Sequence, residues 1–128
     1  MMNGSAGALM IVEQTLLVQL DPELTDGAVR ALRNRVGVTL EAQQLRGVVL
    51  DLASVNLMDS YITRCIRDLA VSAKLMGVPT VICGVQPGVA DTLVEMGLGL
   101  GDIPTAMNLD GALRLLRAPK RARALSRG

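Results

Sequence analysis

The 128-residue sequence predicts one α/β domain, built on a mixed, mainly parallel β-sheet with an N-terminal hairpin and about four helices. Three observations predict it. The runs GVVLDL (47–52) and TVICGV (80–85) are almost continuously apolar, as strands covered on both faces must be. Around them lie stretches whose apolar residues recur every three or four positions, the period of a helix. The two patterns alternate, which calls for parallel strands joined by right-handed crossovers.

The elements follow in order. MIV (10–12) and TLLVQL (15–20) flank Glu13-Gln14 and read as a tight hairpin, although neither turn residue favours the conformation. Thr25 is an expected N-cap for a helix with Val29, Leu32, Val36 and Leu40 inward and Arg30, Arg33 and Arg35 solvated. After GVVLDL, a helix presents Ile62, Ile66, Leu69, Ala73 and Met76 as an apolar stripe, and Gly77 with Pro79 stops it. After TVICGV, QPGVADTLVEMG gives a turn and a helix with Val89, Leu93 and Met96 inward, ending at Gly97. IPTAMNLDGALRLL gives a short edge strand and a last helix with Leu109, Ala112, Leu113 and Leu116 on its apolar face. The expected organisation is a flexible N-terminus over 1–9, the domain over 10–117 and a basic flexible tail over 118–128.

Composition excludes several kinds of function. Histidine is absent, which removes the commonest general base and metal ligand and speaks against hydrolytic triads and ordinary zinc sites. One Tyr without Phe or Trp leaves no aromatic platform for bases, and the core must be filled by aliphatic residues and methionine. Met76, Met96 and Met107 are expected to share that task, and Met58 is the exception, expected to be exposed together with Tyr61 as an apolar contact. Cys65 and Cys83 lack a CxxC spacing and read as small core residues of a reducing compartment. No apolar run approaches the roughly 20 residues that cross a bilayer, and the start lacks a basic secretory region, so the expected location is the cytoplasm. Charge is uneven: residues 1–113 hold 7 bases against 12 acids, a net of −5, whereas 114–128 hold six bases and no acid. That tail reads as a solvated terminus, and neither nucleic acid nor membrane is expected as a partner.

The candidate site is NLMDSYITR (56–64), between the first continuous strand and its helix. Ser60 opens the helix, where a serine hydroxyl is an N-cap worth about 1 kcal/mol. Thr63, one turn further in, is expected to bond back to the helix. Asp51 and Asp59 do not form a metal-binding or acid–base pair, because Asp51 lies within the strand and Asp59 well beyond its end. GVQPGV (84–89) lacks the lysine and hydroxyl residue of a P-loop and is expected to shape the surface beside Ser60. Neither a catalytic residue, a metal nor a cofactor is expected.

The ordered elements, with GVVLDLASVNLMDSYITR, AKLMGVPTVICGVQPGVADTLVEMGL and TAMNLDGAL, resemble the STAS domain family of bacterial anti-sigma factor antagonists, in its small, RsbS-like stressosome scaffold branch. The likeness spans roughly residues 10–117. MDS at the junction and GVQPGVADTLVEMG after the next strand are its most specific signals. Gly88, where many relatives have a larger residue, and the basic tail depart from it. The resemblance implies a non-catalytic scaffold and antagonist that sequesters a serine kinase of the RsbT type, assembles with RsbR-like STAS paralogues and with itself, and releases the kinase in general stress signalling. It implies phosphorylation of Ser60, with Thr63 the fallback acceptor, and a PP2C-type phosphatase to reverse it. Met58, Asp59, Tyr61, Gln86 and Pro87 are the implied partner-binding residues. Two alternatives stand beside this reading: a simple antagonist that binds an anti-sigma kinase directly, and a STAS module for a small molecule or lipid. The lack of a sensory domain favours the small scaffold.

Overall fold

Strand alternation decides which helix covers which face of the sheet. In a computed structural model that describes residues 6–96 and 102–117, the chain runs β1 (Gly7–Val12), β2 (Thr15–Leu20), α1 (Asp26–Ala42), β3 (Gly47–Asp51), α2 (Ser60–Leu75), β4 (Thr80–Cys83), α3 (Pro87–Met96), β5 (Thr105–Ala106) and α4 (Leu109–Arg117). Leu16, Val18, Val48, Leu50 and Ile82 point to one face and pack with the inward residues of α1 and α2 and with Val89 of α3. Their neighbours Leu17, Val49, Val81 and Cys83 point to the other and meet Ala112, Leu113 and Leu116 of α4. The sheet is five-stranded in the order β1-β2-β3-β4-β5. β1 is antiparallel to β2, and every later pairing is parallel. The expected class, element order and hairpin are all present.

Thr25 and Gly77, both marked in the sequence, fix helix ends, and Asn108, which was not, fixes a third. Thr25 caps α1, its Oγ1 accepting from Ala28 N at 3.2 Å. α2 ends with Gly77 at φ 83°, where Gly77 N donates to Lys74 O and Val78 N to Ala73 O, at 2.9 and 2.8 Å, the paired bonds of a Schellman end. Asn108 caps α4 by accepting from Gly111 N at 2.9 Å. Gly47 is required by close packing: a Cβ there would lie 2.7 Å from Leu116 Cδ1.

Three expectations need correction. β1 begins at Gly7, so residues 7–9 belong to the sheet and not to a flexible N-terminus. Met76 is 45% exposed because it forms the C-cap of α2, past the last inward turn, and Met107 is 92% exposed in the connection before α4. Neither fills the core. The Met96 side chain, Gly97 and the basic tail over 118–128 lie outside the described residues.

Glu13 and Gln14 form a two-residue hairpin loop with φ of 53° and 59°, between the paired residues Val12 and Thr15. A left-handed pair suits the twist of a hairpin, yet non-glycine residues there cost roughly 1–2 kcal/mol each. Tertiary bonds hold the turn: Arg46 N donates to Gln14 O at 2.8 Å, and the Arg117 Nε lies 3.4 Å from Glu13 Oε1. Gln14→Gly should therefore raise unfolding stability by about 0.5–1 kcal/mol, measured by denaturant titration.

Cys65 and Cys83 are both free and buried. Burial, and secondly the Asp51 carboxylate, push the Cys83 thiol up to about 11 from its ordinary 9.0. The folded state thus favours the neutral thiol. Its contribution is fully present below pH 9 and is lost as pH rises towards 11, at about 1.4 kcal/mol per pH unit. Cys83→Ala should flatten this alkaline loss in stability measured from pH 8 to 11, whatever its effect at neutral pH.

Candidate functional site

Side-chain and backbone bonds stitch together the two connections that leave β3 and β4. Leu52 N donates to Cys83 O at 2.9 Å, extending the pairing past the strand ends. Asp51 Oδ1 accepts from Ala53 N at 3.0 Å and turns the chain out of the sheet. Gly84, at φ 75°, lies close against this turn, where a Cβ would come 3.1 Å from Ala53 N. Gln86 closes the gap, its Nε2 donating to Ala53 O at 2.8 Å and to Asn56 Oδ1 at 3.4 Å. The expectation that the GVQPGV loop shapes the surface leading to Ser60 therefore has a bond behind it. Pro87 follows as the exposed first residue of α3, a position that lacks no needed N–H.

At the start of α2 the cap is Asp59, not Ser60. Asp59 Oδ1 accepts from Ile62 N at 2.8 Å, and its backbone carbonyl accepts from Thr63 N at 3.0 Å and Thr63 Oγ1 at 2.8 Å. Ser60 is the first helical residue, exposed, and caps nothing. The expected capping role passes one residue upstream because a carboxylate at that position reaches the third N–H. Thr63 is fully buried and bonded back to the helix, as its position implied. It offers a kinase no accessible hydroxyl.

Met58, expected at the surface, is 2% exposed and belongs to the core with Val55, while Leu57 between them is 77% exposed. The irregular connection drops Val55 and Met58 inward and turns Leu57 out. Met58 is thus removed from the contact surface, and Leu57 is the apolar side chain there. Tyr61 is half-buried against the core, and its hydroxyl accepts from Arg30 Nη1 of α1 at 3.1 Å. That bond raises Arg30 further above its already high value, so a permanent cation stands beside the start of α2. Arg30 was expected only to be solvated, and the packing of α1 on α2 brings it to Tyr61. Asp51 and Asp59 serve separate turns, and no group of three or more potential metal ligands occurs among the described residues. No helix of the described residues is long and apolar enough to cross a membrane.

The resulting surface joins an exposed hydroxyl (Ser60), an acid (Asp59), a cation (Arg30), an apolar side chain (Leu57) and a tethered loop (Gln86 and Pro87). Among the described residues none of these groups pairs a nucleophile with a base. Its chemistry suits recognition and modification.

The fold superposes on a serine-to-glutamate variant of RsbS from Moorella thermoacetica with a TM-score of 0.79 and 29% identity, covering 97% of this chain and 100% of that one. It superposes on a chain of the stressosome, described as a signal integration and transduction hub, with a TM-score of 0.77 and 31% identity, over 86% of this chain and 96% of that one. The RsbT co-antagonist protein RsbRD of Bacillus subtilis is 28% identical over 109 residues, which are 85% of this chain and 39% of that protein. The chain thus spans about two fifths of the length of that relative. The family model of the STAS domain matches residues 8–112. With that match over most of its length, the chain belongs to the STAS domain family.

Proposed function

We propose that the chain is a non-catalytic scaffold of a stressosome-type assembly, which sequesters an RsbT-type serine kinase and releases it when Ser60 is phosphorylated. The observation that carries this reading is the division of labour at the start of α2. Ser60 is exposed and structurally idle, while Asp59 caps the helix and Thr63 is buried. The likeness to RsbS and to a stressosome chain supports the same reading. RsbR-like paralogues and further copies of the chain are the other members of the assembly, and a PP2C-type phosphatase resets it.

The physics of release lies at the partner's surface. Phosphate adds about −1.5 to −2 charges beside Asp59. On this chain the added charge is tolerable, because it meets the positive end of α2, with Arg64 exposed one turn on. A kinase surface matched to a neutral hydroxyl must instead desolvate a dianion next to a carboxylate, and binding weakens.

Two outcomes follow. Ser60→Ala should leave stability within about 0.5 kcal/mol of the wild type, whereas Asp59→Ala should cost about 1 kcal/mol, both by thermal or denaturant unfolding. After incubation with the cognate kinase and ATP, fragment-ion mass analysis should place one phosphate on Ser60. Kinase retention on the immobilised chain should then fall at least about tenfold, while Ser60→Ala keeps the kinase bound. Phosphate mapped elsewhere, or equal retention before and after modification, overturns the switch.

A further inference from the structure

Gly37 stands in the interior of α1 with no internal reason to be glycine. A glycine weakens a helix more than any residue but proline, yet a Cβ built on Gly37 would meet nothing within 4 Å. The packing of this chain does not require it. What glycine offers at such a place is the close approach of another backbone from outside.

An open groove of about 400 Å³ runs beside Gly37 between α1 and α2, with Arg33, Val38, Glu41, Leu69 and Met76 among its walls. Leu69 is buried, whereas Val38 and Met76 are 65% and 45% exposed. The groove thus has apolar side chains that the fold leaves uncovered. Its charges are placed symmetrically about the glycine: Arg33, Gly37 and Glu41 form one i, i+4 row, with the cation one turn before Gly37 and the acid one turn after it. Glu41 forms no ion pair among the described residues, and Arg33 reaches only Asp68, at 3.9 Å and at the surface. A second α1 laid antiparallel, with the two Gly37 residues facing, brings Arg33 of each copy opposite Glu41 of the other. Both pairs form at once. A parallel arrangement would set like charge against like.

We propose that the groove between α1 and α2 is a homodimer interface, in which the α1 helices of two copies cross antiparallel at Gly37 about a two-fold axis. Such an interface must be self-complementary, and the Arg33, Gly37, Glu41 row is. Interlocking of two i, i+4 rows is the commonest way for helices to cross, and close approach at Gly37 covers Val38 and Met76. Gly37 is seven residues along α1 from Arg30, roughly 10 Å at 1.5 Å per residue, which separates the contact from the surface at Tyr61 and Ser60. The proposal does not rest on the phosphorylation reading; to the self-assembly of the scaffold it adds the face that is used.

The test is sedimentation equilibrium of the full chain alone, at low salt, where exposed pairs are least screened. The wild type should dimerise with a Kd of roughly 10–100 μM, as suits an interface at the small end of the stable range. Arg33→Glu and Glu41→Arg should each weaken the dimer about tenfold, since both pairs turn repulsive. Mixed in equal amounts, the two variants should associate with each other about as tightly as the wild type does with itself, because each pair is then restored. Gly37→Leu should remain monomeric yet unfold at or above the wild-type temperature when both are diluted to monomer. A wild type that stays monomeric up to roughly 500 μM overturns the proposal. So does a dimer that survives Gly37→Leu or either charge reversal, or a mixture that fails to associate. Kinase, ATP and paralogues are absent from every arm, so these outcomes leave the Ser60 switch to its own test.

Discussion

Burial of β3 on both faces is the constraint on which the rest of the structure depends. Val48, Val49 and Leu50 are at most 1% exposed, with α1 and α2 on one side and α4 on the other. Residues in such a strand must be apolar whichever way they point. Gly47, at its entrance, must also be small to admit Leu116. A strand of this kind has no room for a functional polar group. Polar chemistry is therefore displaced to where the strand ends, and Asp51, the first polar residue, is used to turn the chain towards the candidate site.

Most of the fold was legible because periodicity survives in sequence. The inward residues of α1 agree with the expected stripe, and so do Ile62, Ile66, Leu69 and Ala73 of α2. What failed lay where no period exists. The start of β1 was hidden because Gly7 and Ala8 carry no strand preference; Gly7 is there because a Cβ would collide with Gln19 O at 2.2 Å. In the connection before α2, Leu57 and Met58 are chemically equivalent neighbours, and only the path of the backbone decides that Met58 is buried. Asp59 and Ser60 are both good capping residues, so sequence located the helix start but not which of the two capped it. Arg30 beside Tyr61 depends on the docking of two helices 31 positions apart in sequence and left no local signal.

The scarcity of aromatic residues gives Tyr61 an unusual place. As the sole aromatic residue of the chain, it sits half in the core with its hydroxyl at the surface, the arrangement suited to an amphipathic ring. It couples the position of α1 to the first turn of α2. A displacement between these helices would move Arg30 relative to Ser60, so the electrostatic character of the site is set by core packing as well as by the local loop.

The capping bond from Asp59 has a consequence for how the domain could carry information. Because Asp59 caps the helix and Ser60, the proposed acceptor, does not, the capping bond at the start of α2 does not depend on the Ser60 hydroxyl. Reading and folding are then separate matters: the same rigid body is presented with or without a mark, and only an observer touching the surface can tell the difference. A domain organised this way needs no internal motion to signal. On the proposed reading, a mark on Ser60 of one copy leaves the Asp59 cap of that copy in place.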